Sequence, residues 1–267
     1  MIRKVDFVFV LLTYINSTDL KEFIESAKRQ ELNAAYIIVD AFHDQESSEK
    51  IKAIAESENA NYLLIQNKGY SYGNNQGINF ARENYEFEFL VVSNPDILIR
   101  QFSIERLRGM EDKVIGPMII NVKNQMQNPM FVSENMLAQK LVYKGLKKNN
   151  KLSFYLGIAL NKFNRMCFLK QATNSVSQVY QLHGSFVVFG KLALDKLKTV
   201  YDENMFLFAE ESYLAIELKK EGIRSIYNPQ IIVMHKEDGS MRFRDDISER
   251  LKDANIYVFE KYYGFKD

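Results

Sequence analysis

Short apolar runs alternate with longer amphipathic segments over the first 120 residues of the chain. The runs are rich in valine, isoleucine and phenylalanine, which is typical of strands buried on both faces. They predict strands at residues 6–13, 36–40, 62–66, 87–93 and 114–120. Apolar residues at helical spacing predict helices at residues 17–30, 47–57 and 75–84. Alternating strands and helices predict an α/β fold with a mainly parallel sheet and right-handed crossovers.

This alternation stops after Asn121. Residues 121–177 are polar and basic, and the pattern assigns them no firm element. Later apolar patterns predict strands at residues 179–189 and 231–235 and helices at residues 210–221 and 245–263. Because the chain has no internal repeat and no low-complexity linker, we expect one domain over residues 1–240. Residues 241–267 are expected to form a helical tail packed on that domain.

Composition narrows the class of protein. The chain has 267 residues, 46% of them hydrophobic, which is enough for a substantial core. Its net charge of +1 argues against bulk nucleic-acid binding, and its single cysteine excludes an intramolecular disulfide. No apolar run approaches the roughly 18 residues needed to span a bilayer, and the early apolar run is shorter than that of a signal peptide. We therefore expect a cytoplasmic protein, either soluble or peripheral at the inner face of a membrane.

Charge is unevenly distributed along the chain. Residues 135–194 contain nine lysines and arginines but no aspartate or glutamate, so the remainder of the chain is acidic. A basic insert of this kind suggests a surface that meets anions, such as lipid headgroups or a phosphate-bearing acceptor. The apolar stretch at residues 154–160 could then enter a membrane interface. The alternative is a helix packed on the domain with solvated lysines.

Polar residues follow two of the predicted strands. Asn94, Pro95 and Asp96 come directly after residues 87–93. An acid just past a strand end could hold Mg²⁺ or Mn²⁺ at the edge of a parallel sheet, where open α/β sheets bind ligands. The alternative is a turn that only ends the strand. Asp40 ends the second strand, where it could accept a hydrogen bond from the imide N–H of uracil or thymine, or simply terminate the strand.

Three further features are candidates for chemistry. Residues 69–77 are glycine-rich, follow a strand and open a helix, so their backbone could approach an anion closely. Glu210 and Glu211 follow an apolar run, which can raise the pKa of an acid and suit it to act as a general base. Acids are also common at helix N-termini for the helix dipole alone. His235 ends a late strand as a candidate metal or phosphate ligand, although such a histidine, like His183, is more often structural.

The order of these features matches a known family. The matching pieces are Thr13-Tyr14, Val39-Asp40, residues 73–77 (GNNQG), residues 93–96 (SNPD), residues 184–188 (GSFVV), residues 206–211 (FLFAEE) and His235. Taken in this order over residues 5–240, they resemble the family 2 glycosyltransferases, with closest likeness to the bacterial rhamnosyltransferase-like group. The resemblance implies a GT-A fold with a nucleotide-binding half at residues 1–120 and an acceptor half at residues 121–240.

The resemblance also implies roles for particular residues. The donor-binding residues would be Tyr14 and Asp40 at the nucleotide base, with Gly73, Asn74, Asn94 and Gly184. Asp96, as the last residue of a DxD-like motif, would bind Mn²⁺ or Mg²⁺, with His235 near the metal and the diphosphate. Glu211 would be the general base on the acceptor hydroxyl, with Glu210 beside it.

We therefore expect an inverting, metal-dependent hexosyltransferase acting in bacterial surface polysaccharide synthesis. It would move one sugar from a UDP- or dTDP-sugar to a hydroxyl of a saccharide or lipid-linked acceptor. Because the chain has neither transmembrane segments nor a Gln-x-x-Arg-Trp motif, a non-processive enzyme is favoured. The sugar, the nucleotide, the acceptor, the linkage and the oligomeric state stay open.

Two alternatives differ in class. A nucleotidyltransferase of similar fold would need a glycine- and arginine-rich loop after the first strand, and residues 13–17 offer none. A non-catalytic scaffold that kept the fold stays open, since Asn94 stands where the DxD-like motif would have its first acid.

Overall fold

The computed structural model describes residues 2–172, 174–237 and 247–266. The strands are β1 Arg3–Lys4, β2 Phe7–Thr13, β3 Ala34–Ala41, β4 Asn61–Ile65, β5 Tyr85–Glu86, β6 Phe89–Ser93, β7 Ile97–Gln101, β8 Lys113–Asn121, β9 Ser177–Val179, β10 Phe186–Gly190 and β11 Arg224–His235. The helices are α1 Ser17–Lys28, α2 Gln45–Ser57, α3 Tyr70–Asn84, α4 Met136–Lys147, α5 Lys151–Ala172, α6 Lys191–Leu194, α7 Glu210–Lys220 and α8 Ile247–Lys261.

One large sheet runs through the described part of the chain in the order β4-β3-β2-β6-β10-β8-β11-β7, and β9 pairs with β11 beside this path. From β4 to β6 all neighbours are parallel, as the alternating pattern predicts. The other half is mixed, because β10 is antiparallel to both β6 and β8, and β7 is antiparallel to β11. The prediction of a mainly parallel sheet therefore describes the first half of the sheet, and the whole sheet is mixed.

Within the parallel half, β2, β3 and β6 are buried on both faces, which explains why these strands are almost continuously apolar. Phe7 and Phe9 of β2 point to one face, where they pack with Phe23 of α1 in one core cluster. The alternating Val8 and Val10 belong to a second cluster on the other face. Helices thus cover the sheet on both sides.

The glycine-rich stretch is helical rather than a loop, because α3 begins at Tyr70 and not at residue 75. A Cβ atom on Gly73 would lie 2.4 Å from Cδ1 of Leu12, and one on Gly77 would lie 2.3 Å from Cγ1 of Val10. These two glycines therefore let α3 lie directly against β2.

Residues 121–177, which the sequence pattern left unassigned, contain the hairpin of α4 and α5. Gly145 and Gly157 form its contact, since a Cβ atom on either glycine would lie within 2.7 Å of the opposite helix. Within the described residues no helix is both long enough and apolar enough to cross a bilayer.

The C-terminal helix α8 is tied to the loop before α7 by one buried carboxylate. Asp202 accepts hydrogen bonds from the hydroxyls of Tyr257, at 2.7 Å, and of Tyr262, and Lys261 lies 3.1 Å from it. Burial would raise the pKa of Asp202, but the hydrogen bonds from Tyr262 and Tyr257 lower it below its usual range. The division into residues 1–240 and a tail stays a prediction, and part of the predicted helix, residues 245–246, lies outside the described residues.

Candidate functional site

A cleft of about 460 Å³ lies at the carboxyl ends of β2, β3 and β6. Ligands bind at this edge in open α/β sheets. The lining residues are Leu12, Thr13, Tyr14, Asn16, Ala41, Asn67, Gly69, Tyr70, Asn94, Pro95, Asp96, Gln127, His183, Gly184, Ser185, Phe206, Leu207, Phe208, Glu210, Glu211, His235 and Glu237. The resemblance implies ten donor-binding, metal-binding and catalytic residues. The cleft brings together seven of them: Tyr14, Asn94, Asp96, Gly184, Glu210, Glu211 and His235.

Asp96 and His235 meet on one wall of the cleft, which we call the cation end together with Gln127. Antiparallel pairing of β7 with β11 places His235 opposite Ile97, the residue after Asp96. Nε2 of His235 lies 3.3 Å from Oδ2 of Asp96, and both side chains are largely buried. The backbone N–H of Lys236 donates to the carbonyl of Asp96 at 3.0 Å, which fixes the two strand ends to each other.

Gln127 determines which nitrogen of His235 faces Asp96. Its amide nitrogen donates to Glu237 at 2.7 Å, so its oxygen is the atom that lies 2.8 Å from Nδ1 of His235. Nδ1 must then carry the proton, and in the neutral ring Nε2 presents a lone pair to the Asp96 carboxylate. Two acceptors 3.3 Å apart repel each other unless a proton or a metal cation lies between them.

A divalent cation fits this arrangement. Neighbouring oxygen or nitrogen ligands of an octahedral Mg²⁺ at about 2.1 Å lie about 3 Å apart, close to the separation of Asp96 and His235. The other oxygen of Asp96, Oδ1, is buried and has no hydrogen-bond partner among the described residues, so it too lacks a donor or cation. Among those residues no three histidine, cysteine or acidic side chains cluster as a complete ligand set. A cation here would take its remaining ligands from a phosphate group and water, as Mg²⁺ commonly does.

His183 lies beside the cation end, and its ring centroid is 5.7 Å from that of His235. Burial, followed by the nearby His235 and Arg165, lowers the pKa of His183 to about 3. The backbone N–H of Ser185 donates to Nδ1 of His183 at 3.2 Å, which is possible only if that nitrogen is unprotonated. His183 is therefore a neutral side chain that adds no charge to the cleft.

The cleft is also lined by the two acids Glu210 and Glu211, which we call the acid end. They open α7, and the two residues before them, Phe208 and Ala209, have left-handed backbone angles, with φ of +75° and +64°. Such angles cost about 1–3 kcal/mol for a residue with a side chain and cluster at functional sites. This strained corner turns the first residues of the helix toward the cleft.

Burial raises the pKa of both acids, and for Glu210 the charge of Glu211 adds to the effect. Glu210 is the more buried side chain, and its Oε1 has no hydrogen-bond partner in the part of the chain described. Glu211 lines the cleft and accepts a hydrogen bond from the backbone N–H of Gly184 at 3.3 Å. A Cβ atom on Gly184 would lie 2.8 Å from Oε1 of Glu211, so only glycine allows this contact without a shift.

Helix α3 supports the acid end from below. The N–H of Tyr70 donates to the carbonyl of Phe206 at 2.7 Å, and its hydroxyl donates to the carbonyl of Gly184 at 3.0 Å. One helical turn further on, Asn75 both donates to and accepts from the backbone of Tyr201, at 2.8 and 3.1 Å. The residues of α3 therefore hold the loop before α7 in place.

Gly73 and Asn74, which were expected in the donor pocket, lie between Tyr70 and Asn75 in the same helix. Both are buried in α3, and neither is among the described residues that line the cleft. Gly73 contacts Leu12, and the amide of Asn74 donates to the carbonyl of Tyr70 at 3.1 Å. In this structure Gly73 packs α3 against β2 and the side chain of Asn74 bonds within α3, and their contact with a donor stays a prediction.

Of the two predicted base-binding residues, Tyr14 lines the cleft and Asp40 does not, within the described residues. Tyr14 lines it, with its hydroxyl 3.0 Å from Nδ1 of His43. Asp40 does not line it within the described residues, although its neighbour Ala41 does. The carboxylate of Asp40 is buried and accepts a hydrogen bond from the hydroxyl of Tyr62 at 2.7 Å. Its role toward a uracil or thymine ring therefore stays a prediction.

Sequence reasoning missed Gln127, and it considered Tyr70 only as an aromatic residue that could pack on a base or a sugar ring. Gln127 belongs to a polar segment in which no spacing or pattern distinguishes it from its neighbours. Tyr70 lies in the glycine-rich stretch that was expected to be a loop. Its place at the start of α3 follows only from its contacts with Phe206 and Gly184.

Comparison with known proteins agrees with this geometry at the level of the fold. No protein-family model matches the chain. The low-salt glycan biosynthesis hexosyltransferase Agl10 of Haloferax volcanii is 22% identical over 223 residues, which cover 82% of this chain and 63% of that protein. GalNAc-T7, crystallised with UDP, GalNAc and Mn²⁺, has a TM-score of 0.66 at 12% identity, covering 97% of this chain and 49% of the other.

A second solved structure, that of S. aureus TarS, has a TM-score of 0.55 at 13% identity and covers 95% of this chain and 40% of the other. The chain thus spans less than two thirds of the length of each of these proteins. The structural neighbours are GT-A glycosyltransferases, and the predicted α/β fold of GT-A type is confirmed. The assignment to family 2 and to its rhamnosyltransferase-like group stays a prediction.

Proposed function

We propose that the chain is an inverting, non-processive glycosyltransferase. It moves one sugar from a UDP- or dTDP-sugar to a hydroxyl of a saccharide or lipid-linked acceptor, in the synthesis of a surface glycan. The observation that carries this proposal is the cleft itself. Its cation end holds an acid with an unpartnered oxygen, and its acid end holds two carboxyl groups of raised pKa.

Asp96 and His235 would hold Mn²⁺ or Mg²⁺ at the cation end. A bound divalent cation would supply charge stabilisation for the nucleotide diphosphate that leaves the sugar. GalNAc-T7, the neighbour of similar fold, was crystallised with UDP and Mn²⁺, which supports this use of the cleft. Gln127 would keep the proton of His235 on Nδ1, and it would thereby leave Nε2 free to act as a ligand.

Glu211 would act as the general base. It accepts the proton of the acceptor hydroxyl while that oxygen attacks the anomeric carbon, from the side opposite the bond to the diphosphate. The carbon–oxygen bond to the diphosphate breaks, so the sugar inverts its configuration. A pKa raised by burial suits an acid to this proton transfer near neutral pH. Gly184 holds the carboxylate through its backbone N–H at 3.3 Å.

A nucleotide-sugar panel tests the proposal. The purified protein is given UDP- and dTDP-sugars with and without Mn²⁺, and both thermal stabilisation and release of the nucleotide diphosphate are measured. We expect at least one donor to raise the melting temperature and to be hydrolysed slowly in the presence of Mn²⁺.

The variant Asp96→Ala should lose the metal-dependent turnover. Retention of full turnover in this variant would contradict the proposed cation end. Binding of donors without any hydrolysis or transfer by the native protein would favour the non-catalytic scaffold instead.

A further inference from the structure

Helix α5 exposes an apolar face to solvent along most of its length. Large apolar side chains at helical spacing make up this face: Leu152, Tyr155, Leu156, Phe163 and Met166. Leu152 is 71% exposed and Phe163 is 61% exposed, so these side chains project fully from the molecule. An exposed apolar patch of this extent marks an interaction surface on a soluble domain. We call these five residues the apolar face of α5.

The orientation of this face is fixed by the opposite side of the helix. Gly157 lies against α4, where a Cβ atom would be 2.7 Å from the carbonyl of Ala138. Arg165 donates from Nε to the carbonyl of Pro129 at 2.6 Å and from its guanidinium to the carbonyl of Met126. The helix therefore cannot rotate its apolar side inward without breaking these contacts.

Lysines border the apolar face. Lys151, Lys162 and Lys170 are exposed on α5 itself. On α4, Leu137 and three lysines, at 140, 144 and 148, are exposed at the spacing of one helical face. No acidic residue occurs between residues 135 and 194, so all the charged side chains of α4 and α5 themselves are basic.

We propose that the apolar face of α5, together with the flanking lysines, docks on an anionic lipid bilayer. Apolar side chains inserted at the boundary of headgroups and acyl chains, with lysines around them, are the chemistry of an interfacial helix. Each lysine near an anionic surface contributes about 1 kcal/mol, and its long stem can lie along the apolar region while its ammonium reaches a phosphate.

The lysines beside the apolar face of α5 favour an anionic bilayer over a second copy of the chain as the partner. A symmetric dimer through this face would bring together two helical hairpins that carry lysines and no acid, and the resulting repulsion would oppose association. Anionic headgroups neutralise the same lysines. The partner that complements both the apolar face and its border is therefore a membrane surface.

Docking through α5 would also orient the cleft. Arg165 binds the loop at residues 126–129, and Gln127 in this loop contacts His235 at the cation end. The cleft is thus connected by two side chains to the helix that would rest on lipid. The docking itself does not depend on the proposed activity, because a scaffold with this hairpin would bind lipid equally well.

Vesicle sedimentation tests the inference without any activity measurement. The full chain is mixed with vesicles of phosphatidylcholine alone or of phosphatidylcholine with phosphatidylglycerol, and the bound fraction is measured at low and high salt. We expect binding to the anionic vesicles, weakened by salt, and little binding to the neutral ones. Equal binding to both vesicle types, or no binding to either, would overturn the proposal.

Variants of the apolar face provide the matched comparison. The double variant Leu152→Glu with Phe163→Glu should weaken partition onto anionic vesicles at least about tenfold. The control Leu64→Glu places one such charge on an exposed leucine of β4, away from α5, and should bind as the native chain does. Circular dichroism and the melting temperature verify that each variant is folded.

Sedimentation velocity examines the alternative partner. A native dimer that the double variant converts to a monomer would assign the face to a second copy and overturn the lipid proposal. A native monomer in solution that binds anionic vesicles would support it.

Discussion

The cation end and the acid end of the cleft are held by different means. At the cation end, Asp96 and His235 lie where two paired strands meet, and hydrogen bonds of the sheet fix their separation. At the acid end, Glu210 and Glu211 follow a left-handed corner whose position depends on contacts from α3. The cation end is therefore part of the sheet, whereas the acid end belongs to a loop and helix start that α3 supports. Changes in α3 should therefore affect the acid end first.

The largest expected effect is at Glu211. The change Glu211→Gln removes the proposed base but keeps the size of the side chain, so turnover should fall by about 10²–10⁴-fold. Donor binding, measured by thermal shift with Mn²⁺, should survive because the cation end is intact.

A base must be deprotonated to act, so native turnover should fall as pH drops through the raised pKa of Glu211. That pH dependence should be absent from the residual turnover of the variant.

The exposed Glu221→Gln, just after the same helix, is the control and should keep native turnover. Loss of donor binding in Glu211→Gln would contradict the separation of the two ends.

A second prediction concerns the support of the acid end at Gly69. A Cβ atom at this position would lie 2.3 Å from the carbonyl oxygen of Phe206, and φ is +104°. Gly69→Ala should therefore lower the free energy of unfolding by about 1–3 kcal/mol. The same variant should lose more turnover than donor affinity. Chemical denaturation measures the stability, and steady-state kinetics measures the turnover and the affinity.

Gly109→Ala is a matched control, because Gly109 also has a positive φ, +76°, but a Cβ atom there would meet nothing within 4 Å. Equal destabilisation by the two changes would show that backbone strain alone, and not the contact with Phe206, accounts for the effect.

The cation end should respond to loss of Gln127. Gln127→Ala leaves Nδ1 of His235 without its partner, so affinity for Mn²⁺ should fall about 10–100-fold while the melting temperature changes little. Titration of Mn²⁺ in the presence of UDP measures this affinity. Gln178→Ala, at an exposed position, is the control. Unchanged Mn²⁺ affinity in Gln127→Ala would remove Gln127 from the proposed site.

The smallest expected effect is a gain in stability from Glu210→Gln. Burial and the charge of Glu211 raise the pKa of Glu210 in the folded chain above its unfolded value. Its ionisation therefore opposes folding, and this cost grows as pH rises from the unfolded pKa to the folded one. The neutral glutamine avoids the cost, so the variant should be more stable by about 1 kcal/mol above neutral pH, with no gain at pH 4. Denaturant unfolding at the two pH values measures the difference, and equal gains at both would contradict it.

The parallel half of the sheet was predictable because β2, β3 and β6 are buried on both faces and are therefore almost continuously apolar. Phe7–Thr13 and Phe89–Ser93 lie within two residues of the predicted bounds. The antiparallel placement of β10 between β6 and β8 was not predictable, since apolar runs do not record which neighbour a strand pairs with or in which direction. A packed helix was one of two interpretations of residues 154–160, but the bounds of α4 and α5 were not predicted. The exposed side of α5 is apolar, which obscures the usual amphipathic pattern.

Seven of the ten predicted site residues line the cleft. Asp96, His235 and the acid pair could be recognised because they lie at the ends of strands and helices, and the sequence pattern marks these boundaries. The helical position of Gly73 and Asn74 could not be recognised, because glycines that allow close packing and glycines that form a loop look alike in sequence. Gln127 could be recognised as a site residue only from the tertiary structure, because 108 positions of the chain separate it from His235.

The place of β10 in the middle of the sheet has a consequence for synthesis on the ribosome. β6 and β8 both emerge well before β10, so each presents an open edge to the surroundings until residues 186–190 leave the exit tunnel. Nascent chains stalled between β8 and β10 should therefore be the species most prone to aggregate, and fragments that end before β10 should be insoluble. Expression of shortened chains is expected to succeed only when they extend past β11.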